Sequence, residues 1–433
     1  SNSYWPNSMF YARPIPGSTS RFVAVVSGHH DVPRMGELVL FDTLRGTHEA
    51  DGAVQRIPGR GKRVEPVILD GLVKDKWPKF LHPWPIDRNR FLVSAQLSPG
   101  GRWGMYLADA FDNLVLIADL PGYALFEPVP LKARPVPPVI PDRVLTDRKE
   151  ALVGITDIYA GDGLRGVPRG TVKSLRLLSY HFAYHNVGGQ VHRVGLDGPW
   201  DIKRILGTVP VRKDGSAYFR IPANTPISLQ PLDANGRALQ LMRSWMTAMP
   251  AERVTCAGCH ERPSEASRNR SFVRPSGLPD DIRPWYGPPR GFSFRREVQP
   301  VLDRHCVSCH GAGSSLDLRD SPDVRPSGRD PNYNDAAHFP RSYLALRAYV
   351  RGHTIESDMH LLPPGEFHAS TTRLIRILEK GHHGVRLDRE AWDRLNTWID
   401  LNTPAHGTWG EIVGPDYVAR QRQRRIELDT RYA

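Results

Sequence analysis

Cys256-Ala257-Gly258-Cys259-His260 and Cys306-Val307-Ser308-Cys309-His310 contain all four cysteines of this 433-residue chain. Two thiols separated by two residues lie on nearly one turn, where each can add across a haem vinyl group. The histidine that follows can then place its imidazole under the porphyrin iron. The two motifs therefore call for two covalently attached haem c groups, with His260 and His310 as proximal iron ligands. Zinc is the competing chemistry, because two Cys-x-x-Cys pairs can close a four-thiolate site. Such a site has no need of a histidine in each motif.

The second axial position decides whether a haem carries electrons or is open to substrate. For the second motif the candidates are His353, Met359, His360, His368, His382 and His383. His382 is favoured, since it follows Gly381, a helix-ending residue, and sits where the chain turns between two packed helices. His368 and Met359 come next, and plain surface exposure is the other explanation of His382. Two imidazoles on one iron would give a lower potential than histidine with methionine. For the first motif, His181, His185 and His192 in and beyond Ser179-Tyr180-His181-Phe182-Ala183-Tyr184-His185 are distal candidates. An ordinary packed aromatic wall accounts for them equally well. Gly28-His29-His30-Asp31 is a further candidate for a metal or distal contact, which a turn between strands also explains.

The elements that must hold these residues read as a mainly β fold of propeller-like or sandwich segments, with a C-terminal α-helical cytochrome c-like domain. Residues 1–141 alternate apolar and polar in short runs such as Phe22-Val23-Ala24-Val25-Val26, the signature of strands. Arg21 to Ala24 is echoed by Arg90 to Val93, and Leu38 to Asp42 by Met105 to Asp109, as in the blades of a partial propeller. Pro128, Pro130, Pro135, Pro137, Pro138 and Pro141 exclude a helix or central strand and mark a boundary. Residues 142–262 read as a β-sandwich segment ending in the first motif, with Asp233-Ala234-Asn235-Gly236 as a turn. Residues 263–293 form a Pro/Arg-rich linker expected on the surface. From 294 to 433 the texture is helical: Phe294, Val298, Val301 and Leu302 make an apolar stripe running into Cys306. Ser370 can cap a helix carrying Leu374, Ile377 and Leu378, and a last helix from Asp388 presents Trp392, Leu395 and Ile399.

The 39 prolines and 38 glycines argue against a helical bundle. A net charge of +12, concentrated near the end in Arg420, Arg422, Arg424 and Arg425, suits an acidic redox partner protein or a solvated surface. No nucleic-acid module is recognisable. No stretch approaches the roughly 20 apolar residues that span a bilayer. The start Ser1-Asn2-Ser3-Tyr4 has no signal sequence, so a mature chain or a piece of a longer one is expected. Haem attachment to cysteine is known from c-type cytochromes outside the cytoplasmic membrane of bacteria, which makes a periplasmic location the expectation.

Several segments carry a resemblance that covers most of the chain. They are Ser27-Gly28-His29-His30-Asp31-Val32-Pro33-Arg34-Met35-Gly36, Asp197-Gly198-Pro199-Trp200-Asp201, Asp214-Gly215-Ser216-Ala217-Tyr218-Phe219, Pro222-Ala223-Asn224-Thr225-Pro226, both cysteine motifs, and Trp398-Ile399-Asp400-Leu401-Asn402. Together they resemble the alpha subunit of hydrazine synthase and its wider relatives. The resemblance implies a propeller-bearing, strand-rich body with a haem considered catalytic, here at Cys256, Cys259 and His260. It also implies a C-terminal cytochrome domain with an electron-transfer haem, here at Cys306, Cys309 and His310. The chain departs from the family in two ways. The family is associated with a tyrosine ligand shortly after the catalytic motif, whereas Glu261-Arg262-Pro263-Ser264-Glu265 contains none. A complete propeller also does not fit before Cys256.

Two functions follow. The first is a dihaem electron-transfer cytochrome, a subunit or fragment of a larger redox complex, and the missing tyrosine and short length favour it. The alternative is a haem oxidoreductase acting on a small nitrogen compound at the first haem. Di-haem peroxidases are helical and fit the strand-rich front half poorly, and a purely structural role would require haems without a reversible couple.

Overall fold

The computed structural model describes residues 4–29, 34–133, 136–142, 144–185, 187, 194–196, 201–260, 277–326, 338–353 and 362–432. The chain divides into two compact units, Ser1–Val139 and Ile140–Ala433, and the division falls inside the proline-rich stretch.

The first unit consists of two four-stranded antiparallel meanders. One is β1 (Ser8–Pro14), β2 (Arg21–Ser27), β3 (Glu37–Asp42) and β4 (Ala53–Ile57). The other is β5 (Lys79–Pro85), β6 (Arg90–Gln96), β7 (Gly104–Asp109) and β8 (Leu114–Ala118), each paired in sequence order. The sequence echo has a structural basis, since the echoing segments are β2 with β6 and β3 with β7. Even the irregularities repeat, because β1 slips register between Phe10 and Arg13 and β5 between Leu81 and Trp84. The residues inside the slips, Tyr11 and His82, take positive φ of 54° and 48°, and their rings meet at 4.3 Å. A bulge re-aims a side chain in this way.

Alternation along the strands builds the core of this unit. Val23, Val25, Leu38 and Leu40 of one meander pack with Phe80, Phe91, Val93 and Ala108 of the other. The opposite face of the first meander is covered too, by Trp5, Val64, Leu72 and Val73 against Ala24, Val26, Val39 and Phe41. A strand buried on both faces reads as a continuous apolar run, which is what Phe22 to Val26 is.

In the second unit β9 (Glu150–Ile155), β12 (Ala217–Pro222) and β14 (Arg253–Cys256) form one sheet, in which β14 runs parallel to β9. The other sheet has the order β13 (Ile227–Leu232), β10 (Ser174–His181), β11 (Ile202–Pro210), β15 (Arg290–Gly291). Val153, Ile155, Phe219 and Ile221 of the first face Leu175, Leu177, Val209 and Leu229 of the second, which makes a sandwich. The turn after β13 is set by Asp233, whose carboxylate accepts from the amides of Asn235 and Arg237, with Gly236 at φ +74°. Of the Pro/Arg-rich stretch, residues 277–293 are described: β15 joins the sheet edge beside β11, and Trp285 and Phe292 are buried.

The helices follow. They are α1 (Phe294–Glu297), α2 (Gln299–His305), α3 (Arg341–Arg347), α4 (Arg373–Glu379), α5 (Arg389–Asp400), α6 (Trp409–Val413) and α7 (Pro415–Tyr432). The predicted stripe of Phe294, Val298, Val301 and Leu302 is buried with Tyr343, Trp398 and Ile399, and the same core takes in Leu178 of β10 and Ile205 of β11. The helices thus pack on the outer face of the sandwich. Buried Glu297 is held by Arg290 at 2.7 Å, Arg296 at 2.9 Å and Arg394. Burial opposes its charge, and the guanidiniums outweigh burial and hold its carboxyl below the usual range. Asp388 caps α5 by accepting from the Ala391 amide at 2.8 Å. One expected cap moves: Thr372, not Ser370, is the N-cap of α4, because Ala369–Thr371 form a short 3-10 turn ahead of it. Among the described residues no helix is long and apolar enough to cross a membrane.

Candidate functional site

Cys306 follows directly on α2 and continues its hydrogen bonding. Its amide donates to Leu302 O at 2.8 Å, and the His310 amide donates to Cys306 O at 2.8 Å, so the second motif forms one further tight turn. That turn presents Cys306, Cys309 and His310 to a cavity of about 540 Å³ lined largely by leucines, among them Leu302, Leu378 and Leu395. His382 lies across the same cavity, three residues beyond α4 and directly after Gly381, which takes φ +86°. The His310 and His382 rings are nearly parallel, 9° apart, with centres 5.9 Å from each other. Two imidazoles bound to one metal ion through bonds of about 2 Å leave their centres roughly 6 Å apart. His310 Nδ1 is buried without a hydrogen-bond partner. Burial, reinforced by the neighbouring Cys309, pushes the Cys306 thiol up to about 11.

The first motif is built differently. β14 delivers Cys256 beside Ile155 of β9, and the loop after β9 then folds over the motif. Thr156 N donates to Cys256 O at 3.0 Å, Asp157 N to Ala257 O at 3.3 Å, Asp162 N to His260 O at 2.9 Å and Gly163 N to His260 O at 3.1 Å. So close a strap requires glycine. A Cβ on Gly161, which sits at φ +93°, would lie 2.1 Å from Cys259 O, and one on Gly163 would lie 2.5 Å from Cys259 Sγ. Gly161→Ala is expected to destabilise the second unit by at least about 1–3 kcal/mol through strain alone, measured by urea unfolding. Cys256 and Cys259 pack at the edge of the sandwich core with Tyr159, Leu239 and Met246, and burial pushes the Cys259 thiol up to about 11. His260 is exposed, and Glu261 to Glu265, where no tyrosine stands, lie outside the described residues.

The two cysteine pairs are therefore in different cores, and all four thiols are free of disulfides. Among the described residues no cluster of three or more His, Cys, Asp or Glu could hold a metal ion, so the four-thiolate zinc alternative has no site. What the second motif offers instead is two thiols and two facing imidazoles around an apolar cavity, a donor set that fits a haem.

The other sequence candidates are dispersed. His181 ends β10 and its ring meets Tyr184, while its carbonyl accepts from Trp409 Nε1 at 2.8 Å. The His185 carbonyl accepts from the Tyr417 hydroxyl at 2.9 Å. These contacts belong to a cluster built on Tyr184, Trp409 and Val418, separate from the one that holds Cys256 and Cys259. His192, Met359, His360, and His30 with Asp31 lie outside the described residues. His353 meets the Phe367 ring, and His383 meets His382 edge to face.

His368 is buried, and its Nδ1 has no hydrogen-bond partner. Burial above all, with His353 and Arg176 adding repulsion, lowers its pKa to about 3. A lowered histidine pKa means that folding favours the neutral ring. Its contribution is present above the unfolded value near 6.5 and is lost as pH falls toward 3. The stability of the wild-type chain relative to His368→Leu is therefore expected to fall by about 1.4 kcal/mol per pH unit below pH 6.5, read from urea titrations.

One group had no part in the sequence analysis. Arg176 is 1% exposed, and it lies 3.9 Å from the fully buried carboxylate of Asp400 and 3.7 Å from that of Asp393. The available signal was an arginine between Leu175 and Leu177 in an otherwise apolar strand. An isolated cation there has to find a partner.

Fold and site together define a mainly β protein whose C-terminal helices carry a second cysteine motif facing a histidine. Residues 170–261 match the family described as the hydrazine synthase alpha subunit middle domain. Hydrazine synthase subunit alpha of Kuenenia stuttgartiensis is 22% identical over 351 residues, 60% of this chain and 41% of that protein. The solved Kuenenia stuttgartiensis hydrazine synthase superposes with a TM-score of 0.63 at 17% identity, covering 92% of this chain and 62% of that one. The chain is thus hydrazine synthase alpha-like in its matched middle segment and in its fold, and it spans well under two thirds of the curated relative's length.

Proposed function

We propose that the chain is a dihaem c-type cytochrome that transfers electrons as a subunit or fragment of a larger redox complex. Cys256, Cys259 and His260 would hold one haem, and Cys306, Cys309 and His310 the other, with His382 as the distal ligand of the second. The observation that carries this proposal is the parallel pair His310 and His382 across a leucine-lined cavity that also receives both thiols. Bound there and held by His310 and His382, the haem would supply a one-electron couple suited to carrying electrons. The chain's own part is to fix both imidazoles, exclude water with leucines and keep the surroundings of low polarity, which sets the potential. Attachment of haem to these thiols would take place outside the cytoplasmic membrane of a bacterium. Membership of a complex is supported by the likeness to a subunit of hydrazine synthase. The arginines of α7 would suit an acidic redox partner.

A second proposal concerns the first motif alone. The family match ends at residue 261, immediately after His260, and the matched relative is named for hydrazine synthesis. An oxidoreductase acting on a small nitrogen compound at the Cys256 haem would use this site. Optical spectra of the oxidised and reduced chain separate the two. Two low-spin haems that do not bind carbon monoxide are expected of the electron carrier, and a high-spin component would favour the enzyme.

A further inference from the structure

We propose that the buried pair Arg176 and Asp400 is a positioning joint. It locks the sandwich that presents Cys256 and Cys259 to the helices that wall the Cys306 and Cys309 cavity, and so fixes the interval between the two motifs.

The joint can be followed bond by bond. From β10, Arg176 donates to Gln230 Oε1 on β13 at 3.0 Å, to Gly236 O in the turn at 3.2 Å and to Thr397 Oγ1 on α5 at 2.8 Å. Gln230 closes the ring by donating through Nε2 to Asp400 O at 2.7 Å. Asp400 uses both carboxylate oxygens, accepting from the amides of Ala238 at 2.7 Å and Ala369 at 2.9 Å. Two residues beyond Ala238, Gln240 Nε2 donates to Gly163 O at 3.0 Å and to Leu362 O at 2.8 Å. Gly163 belongs to the strap, and its own amide donates to the Cys259 and His260 carbonyls. At the other end α5, which carries Asp400, turns Leu395 into the cavity shared by His310 and His382.

Stability does not call for this arrangement. A buried ion pair is often no better than well-packed apolar residues of similar volume, because both charges lose their water. Apolar packing, however, tolerates sliding, whereas directional bonds converging from β10, β13, the 236–240 segment, residue 369 and α5 admit one arrangement. Electron exchange weakens steeply with separation, so a fixed interval is what a two-site carrier requires. That consequence rests on the dihaem proposal, and the joint itself does not.

The test compares the full-length wild type, Asp400→Ala and the apolar double variant Arg176→Met with Asp400→Leu. Amide hydrogen exchange is followed by mass spectrometry, and thermal unfolding and intact mass are taken on the same preparations. Asp400→Ala, which removes one of the two carboxylates within 4 Å of buried Arg176 and frees the amides of Ala238 and Ala369, is expected to lower the unfolding temperature and to speed exchange at 160–164 and 237–241 about tenfold or more. The double variant is expected to recover the unfolding temperature while 160–164 and 237–241 still exchange fast, because apolar packing restores stability without the joint. Should the double variant restore slow exchange as well, or Asp400→Ala leave it slow, the positioning role is overturned. If Asp400→Ala does not fold, the double variant decides alone. An intact mass lacking haem sinks the dihaem proposal, and the exchange comparison still decides the joint.

Discussion

In the chain loaded with haem as proposed, replacing His382 with alanine is expected to convert the haem held by Cys306 and Cys309 from a six-coordinate low-spin form to a five-coordinate form that binds carbon monoxide. The expectation follows from the site, where His382 is the residue whose ring lies parallel to that of His310 at 5.9 Å across the cavity. Its neighbour His383 meets His382 edge to face, its ring nearly perpendicular at 80°, so His383→Ala is expected to leave the spectrum unchanged and serves as the control. A second imidazole lowers the potential relative to a weaker ligand, so its loss raises the midpoint. If His382 binds ferric iron tenfold more tightly than ferrous iron, the rise is about 59 mV for this one-electron couple. Optical spectroscopy with carbon monoxide and a potentiometric titration would read both effects, and a low-spin spectrum in His382→Ala would remove this residue from the iron.

If the chain binds haem as proposed, the double substitution Cys306→Ser with Cys309→Ser is expected to remove one haem and to destabilise the helical part of the second unit. The haem would fill an apolar cavity of about 540 Å³, and without it that lining is left to water. Leu302, Leu378 and Leu395 of α2, α4 and α5 would then collapse inward or stay exposed, and either outcome lowers stability. Circular dichroism should show lost helix and a lower unfolding temperature. The corresponding change at Cys256 and Cys259 is expected to be milder, since those thiols pack at the edge of a sandwich whose β-core is already complete. Equal losses at the two motifs would contradict this difference.

How much of this could be read in the sequence depends on how local the cause is. The two motifs, the stripe from Phe294 to Leu302 and the cap at Asp388 are decided within a few residues, and so was the stop at Gly381 that singled out His382. The meander repeat was legible because β2 with β6 and β3 with β7 carry similar alternation, although their packing against one another was not. Ser370 failed as a cap because a 3-10 turn of Ala369 to Thr371 intervenes, a tertiary choice that propensity does not report. The pairing of Arg176 with Asp400 was out of reach for the same reason: they are 224 positions apart in sequence, and an arginine in an apolar strand signals the need for a partner without naming it. The glycines at 161 and 163 likewise gain their meaning only when the strap closes on Cys259.

The intact mass of the chain, produced with c-type haem attachment machinery and measured after denaturation, bears most directly on the assignment of two haems. The expected result is the polypeptide plus two haem groups that survive denaturation, with digestion placing one on the peptide containing Cys256 to His260 and the other on that containing Cys306 to His310. An unmodified polypeptide, or one that carries a single haem, would contradict it.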